Sequence, residues 1–142
     1  MSFPYLRKSN SEEDTTIIAN EFADLIKTGM VIILNGELGS GKTFFIKKIL
    51  EKNLIINSNS PTFAIVNTYE GKNKFYHFDF YRINIEAELH DIGIEDYFSD
   101  MDSIIFIEWG NLFPKVLPKE RIEINISYTE YGERIFSFEQ YE

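Results

Sequence analysis

Apolar and polar residues recur along this chain with two periods, and the switches between them mark out its elements. Ile17, Ile18, Phe22, Leu25 and Ile26 fall at helical spacing on one face. Ahead of them Ser11-Glu12-Glu13-Asp14 has the Ser/Thr-x-x-Asp/Glu form of a capping box, and acids in a first turn suit the helix dipole. Gly29 is expected to close this helix as its C-cap. The run Met30 to Leu34 is apolar without interruption, as in a strand covered on both faces. Phe44 to Glu51 then reads as a helix that turns Phe45, Ile46, Ile49 and Leu50 toward the sheet.

Beyond a polar loop from Asn57 to Pro61, two strand-like runs, Phe63 to Tyr69 and Lys74 to Phe80, are joined by Glu70-Gly71-Lys72-Asn73 and predict a β-hairpin. Short helices are expected over Ile85 to Asp91 and Ile94 to Phe98, divided by Gly93. Ser103 to Trp109 (SIIFIEW) is a second buried strand. Glu120 to Tyr128 and Glu133 to Phe138 alternate around the turn Thr129 to Gly132 and predict a terminal antiparallel hairpin. No repeat, low-complexity stretch or linker interrupts residues 1–142, which read as one domain.

Composition narrows the class. Apolar content of 44% and charged content of 26% are ordinary globular values. No segment approaches the roughly 18 apolar residues of a membrane span, and MSFPYLRKSNSEED lacks the apolar centre of a signal peptide. With no cysteine, disulfide frameworks, zinc knuckles and thiol catalysis are excluded, and a cytoplasmic protein is the expectation. The net charge of −9, from 23 acidic and 14 basic residues, argues against autonomous nucleic-acid binding, because phosphate neutralisation supplies most of that affinity. If RNA is involved, a partner is expected to hold it.

The chemistry starts at Gly36 to Thr43. GELGSGKT matches the phosphate-loop pattern G-x-x-x-x-G-K-S/T at every required position, between a predicted strand and a predicted helix. Such a loop curls its backbone N–H groups around phosphates at the positive end of a helix. Gly36, Glu37, Leu38, Gly39, Ser40 and Gly41 are therefore candidate nucleotide contacts. Lys42 is expected to reach the β- and γ-phosphates, and Thr43 to offer its hydroxyl to Mg²⁺. The fold class that follows is α/β: a P-loop NTPase-like mixed sheet with parallel strands around the loop, antiparallel additions and flanking helices.

A P-loop enzyme also needs an acid at another strand end, to hold Mg²⁺ or orient the attacking water. Glu108, ending IIFIE, is the first candidate and Asp79, closing the preceding strand, the second; each also reads as a solvated strand end paired with a surface lysine. Trp109 fits either packing or contact with the nucleotide or a partner. Arg82 could meet the γ-phosphate, a partner or Asp79. Thr62, in Ser60-Pro61-Thr62-Phe63, fits a γ-phosphate-sensing switch or a plain turn. His77 and His90 read as ordinary core or surface residues. Three absences prune the alternatives. No guanine-reading N/T-K-x-D or D-x-x-G occurs, no LSGGQ stretch occurs, and the four arginines (Arg7, Arg82, Arg121, Arg134) are too dispersed for a kinase lid.

Taken in order, GELGSGKT, SPTF (Ser60 to Phe63), HFDFYR (His77 to Arg82), the acidic stretch Glu86 to Asp96 with Gly93, and IEW (Ile107 to Trp109) resemble the TsaE family of bacterial P-loop ATPases over nearly the whole chain. The P-loop alone is generic, whereas the ordered set is specific. Glu37 and Ser40 stand where that family often has Asp and Ala. The resemblance implies an ATPase, weak alone, that works with TsaD-like and TsaB-like partners to install threonylcarbamoyl on the adenosine beside the anticodon of tRNA. The chain would meet tRNA only through that complex, with ATP and Mg²⁺ as cofactors. It also implies that Lys42 and Thr43 bind phosphate and metal, that Glu108 and Asp79 are the metal or hydrolysis acids, that Thr62 lies in a switch-like segment and that Trp109 is a motif residue. The rival reading is a nucleotide-gated binding module that regulates its partners without a need for hydrolysis.

Overall fold

The structure, a computed structural model, describes residues 2–56 and 64–142. Its strands are β1 (Tyr5–Ser9), β2 (Val31–Asn35), β3 (Val66–Glu70), β4 (Lys74–Asp79), β5 (Ser103–Glu108), β6 (Arg121–Tyr128) and β7 (Arg134–Tyr141), and its helices are α1 (Glu12–Ala23), α2 (Lys42–Lys52), α3 (Ala87–Asp91) and α4 (Ile94–Phe98). Short 3₁₀ turns follow β4 and β5. The seven strands form one sheet in the order β1-β7-β6-β2-β5-β4-β3. β6, β2, β5 and β4 run parallel; β7 pairs antiparallel with β6, β1 antiparallel with β7, and β3 antiparallel with β4. The predicted mixed α/β sheet is the one observed.

Burial explains the two kinds of strand. β5 is buried at every position and β2 at all but its last, because helices cover both faces of the sheet centre. β6 alternates, with Ile122, Ile124 and Ile126 buried on the face that carries α1 and α2. There Phe22, Phe45, Phe136 and Phe138 pack with ring centroids 5.3–6.2 Å apart. The other face holds Val31, Ile33, Phe78, Ile105 and Ile107 against Leu89 and Ile94 of α3 and α4. Four residues of α2, Phe45, Ile46, Ile49 and Leu50, are buried as their spacing predicts.

Local chemistry sets the ends of the helices. Ser11 caps α1, its hydroxyl accepting from the Asp14 N–H at 3.1 Å, while the Asp14 carboxylate accepts from the Asn10 N–H rather than from Ser11 itself. The helix ends at Ala23, well before Gly29, because the Asp24 N–H turns back to the Glu21 carbonyl at 3.3 Å and the Leu25 N–H to the Phe22 carbonyl at 2.9 Å. Gly29 instead shapes the entry to β2, with φ +92° and its N–H on the Ser103 carbonyl. Ile17, expected in the core, is 61% exposed; Thr15, Ile18, Ala19 and Phe22 form the buried stripe. β1 is an element the pattern analysis did not find. Its alternating Tyr5-Leu6-Arg7-Lys8-Ser9 carries the charge of an edge strand and acquires structure by pairing with β7. β4 ends at Asp79, and β7 runs on to Tyr141.

Candidate nucleotide-binding site

Parallel pairing brings the candidate residues together. The register sets Leu34 of β2 beside Glu108 of β5, and Glu108 beside Asp79 of β4. The carboxyl ends of three neighbouring strands thus open on one crevice, where ligands of parallel α/β sheets are held. The loop from Gly36 leaves β2 there and enters α2 at Lys42. Gly41 precedes the helix at φ +102°, a left-handed conformation that a side chain would resist, and Gly39 has φ +79°. The Tyr128 hydroxyl at the end of β6 donates to the Gly39 carbonyl at 2.5 Å.

Lys42 is only 5% exposed. Its ammonium donates to the carbonyls of Gly36 and Glu37, the latter at 3.1 Å, and lies 4.3 Å from the centre of the Trp109 ring. Burial pushes its pKa below the ordinary lysine value, and the nearby charges of Glu108 and Asp79 pull it back up. Thr43 donates its hydroxyl to Glu108 Oε1 at 3.2 Å. Glu108 is itself 7% exposed, and its Oε2 is 2.7 Å from His77 Nε2. Asp79 sits at the rim, its Oδ1 accepting from the Tyr81 N–H at 3.0 Å and so capping the turn Phe80–Arg82. Trp109 has φ +61°, unusual for a side chain of this size, and its ring meets that of Tyr81 at 5.1 Å.

The resulting cavity of about 690 Å³ is lined by Leu38 to Phe44 together with Asp79, Tyr81, Arg82, Glu108 and Trp109. That volume is of the size that holds small molecules and cofactors. Of the residues proposed from sequence, Gly36 and Glu37 lie just outside it, on an adjoining groove that also touches Trp109. Thr62, with the rest of Ser60 to Phe63, lies outside the described residues. Arg82 lines the cavity and, among the described residues, forms no ion pair with Asp79.

Sequence reasoning missed two side chains. His77 is buried beside Glu108, a placement that the alternation of HFDF suggests by putting His77 on the face of Asp79, but that only the β4–β5 pairing completes. Arg134, at the start of β7, lies against Gly41 with its Nε buried and unpartnered among the described residues. Nothing local marks it, since it stands 93 positions after Gly41 (134 − 41).

Chemically, the crevice offers backbone N–H groups at a helix N-terminus, a lysine, a hydroxyl and two carboxylates. This set can grip a polyphosphate and, through hard oxygen donors, an accompanying Mg²⁺. Among the described residues no group of three or more His, Cys, Asp or Glu could hold a metal by itself.

Comparison with known proteins agrees in sequence and in shape. The model of one protein family, described as threonylcarbamoyl adenosine biosynthesis protein TsaE, matches residues 9–136. A Bacillus subtilis protein named tRNA threonylcarbamoyladenosine biosynthesis protein TsaE is 39% identical over 128 residues, covering 89% of this chain and 79% of that protein. A Rickettsia typhi protein of the same name is 34% identical over 134 residues, covering 92% of each. The crystal structure of Bacillus subtilis YdiB superposes with a TM-score of 0.82 at 31% identity, over 100% of this chain and 88% of that one. A match that spans the P-loop, both acidic strand ends and β6 places this chain in the TsaE family.

Proposed function

We propose that this protein binds and hydrolyses ATP with Mg²⁺ to drive or reset a complex that makes threonylcarbamoyladenosine in tRNA. The observation that carries the reading is the convergence of Lys42, Thr43, Glu108 and Asp79 on one cavity at the carboxyl ends of β2, β5 and β4. The family and its named relatives supply the pathway.

In this reading the backbone N–H groups of Gly36 to Thr43 take the phosphates. Lys42 leaves the Gly36 and Glu37 carbonyls for the β- and γ-phosphates. Bound Mg²⁺ would neutralise phosphate charge, held by the Thr43 hydroxyl with Glu108 and Asp79 behind it. Glu108, buried and held on both oxygens, is suited to orient water; Asp79 is the more exposed acid at the rim. The charge of −9 fits a subunit that meets tRNA through TsaD-like and TsaB-like partners rather than directly. Among the described residues no helix is long and apolar enough to cross a membrane.

ATP hydrolysis is measured with and without those partners. Stimulated turnover that needs Mg²⁺ supports the proposal, and negligible hydrolysis in their presence overturns it. Full multi-turnover tRNA modification with a non-hydrolysable analogue would instead favour the nucleotide-gated binding module.

A further inference from the structure

We propose that His77 is a positioning residue for Glu108, fixing which carboxylate oxygen faces the nucleotide; the inference rests on the ATPase reading. Glu108 has two oxygens with different surroundings. The Thr43 hydroxyl at the start of α2 reaches both, Oε1 at 3.2 Å and Oε2 at 3.4 Å, whereas His77 Nε2 meets Oε2 alone, at 2.7 Å. Thr43 lines the cavity and His77 does not.

The terminal torsion of a glutamate is broad and two-fold, so one hydroxyl contact leaves the carboxylate free to rotate. A buried imidazole is different. His77 is 8% exposed and is carried by β4, next to the strand that carries Glu108. It pairs with Phe106, two positions before Glu108, so that both side chains lie on the α2 face of the sheet. With Nε2–H donating to Oε2, the imidazole compensates a carboxylate that burial would otherwise penalise, and it is the contact that tells Oε2 from Oε1, since the Thr43 hydroxyl reaches both.

Asp79 has no such second anchor. One of its oxygens takes the Tyr81 N–H, and no side chain among the described residues holds the other. The two acids therefore differ in kind: Glu108 is aimed by the fold, and Asp79 is adjustable. A purely structural histidine would stabilise the sheet and leave the turnover of folded protein unchanged. A positioning histidine changes turnover while ATP still binds.

Two variants separate these roles. His77→Leu keeps apolar bulk and removes the donor; His77→Gln can place an amide N–H at the position of Nε2. Steady-state ATP hydrolysis with Mg²⁺ and partners is measured for each, and folding is checked by circular dichroism. Loss of such an outer contact typically costs about 10- to 100-fold, so His77→Leu is expected to lower kcat by that factor with KM nearly unchanged, and His77→Gln to recover most of it. A kcat for folded His77→Leu within about twofold of the parent overturns the inference, as does a glutamine variant no better than the leucine one.

A second readout needs no turnover. The chain has two histidines, so ring ¹⁵N spectra of the free protein are assigned with His90→Gln. An Nε2–H tautomer for His77 whose signals move on Glu108→Gln supports the contact; signals indifferent to that change overturn it. If the parent protein binds ATP but hydrolyses none even with partners, the ATPase reading fails separately. The Mg²⁺ dependence of ATP affinity then decides: weakened in His77→Leu it supports the inference, and unchanged it overturns it.

Discussion

Replacing Gly71 by alanine tests how the P-loop helix is anchored. Gly71 lies in the β3–β4 turn, and a Cβ there would come 2.1 Å from the Asn53 carbonyl oxygen and 2.7 Å from Ile55 Cγ1. Asn53 is the C-cap of α2, its backbone N–H on the Ile49 and Leu50 carbonyls, and three further bonds hold it in place. Its carbonyl accepts from the Lys72 N–H at 3.0 Å, its Oδ1 accepts from Asn73 Nδ2 at 3.1 Å, and its own Nδ2 donates to the Ile49 carbonyl at 2.9 Å. The obstacle is backbone, so a methyl group forces hairpin and helix apart by about 1.3 Å before ordinary contact is restored. Overpacking of this kind costs about 1–3 kcal/mol. The two bonds from the hairpin to Asn53 are each worth about 0.5–1.5 kcal/mol and are stretched by the same movement. The expected loss is therefore about 2–6 kcal/mol, or roughly 7–20 °C in Tm for a chain of this length. Urea and thermal unfolding followed by circular dichroism measure it. A Gly71→Ala protein destabilised by less than about 0.5 kcal/mol would refute the close approach and, with it, this account of the anchor.

Three further outcomes are expected. Lys42→Ala removes charge-assisted contacts to phosphate worth about 1.5–3 kcal/mol, so calorimetry should show ATP affinity falling by roughly 10- to 150-fold; a Kd within twofold of the parent would contradict the assigned role. Glu108→Ala should abolish partner-stimulated hydrolysis while sparing ATP binding more than Lys42→Ala does, and retained turnover would remove Glu108 from the reaction. On the exposed side of α3 and α4, hydrogen bonds to Glu95 first and Glu86 second raise the pKa of His90 above 6.5. The stability contributed by the protonated ring is therefore complete below pH 6.5 and is lost as pH rises through the raised value. A proton NMR titration of the ring should give a midpoint above 6.5 that falls in Glu95→Gln, and a midpoint at or below 6.5 would refute the pairing.

What the linear chain determined here is what local chemistry determines. GELGSGKT matches the phosphate-loop pattern because the glycine positions, the lysine and the hydroxyl fall within eight consecutive residues. The apolar runs of β2 and β5, the α2 stripe and the Ser11 cap were legible for the same reason: each is a periodic or capping signal contained in one element. Neighbours of an element were not legible. β1 has little apolar signal of its own and exists through its ladder with β7, while α1 stops at Ala23 because backbone bonds close there, although Leu25 and Ile26 still pack against the core. Glu108 and Asp79 could be named as strand-end acids, but their adjacency is a matter of register, which the parallel β4–β5 pair decides. The same pairing turned His77 from an unremarkable core residue into a partner of Glu108, and the position of β7 brought Arg134 to Gly41. Sequence alone determined which groups could meet a triphosphate, because backbone conformation and periodicity are short-range; tertiary structure decided which acid is buried and aimed, because strand order and register depend on contacts between residues far apart in the chain.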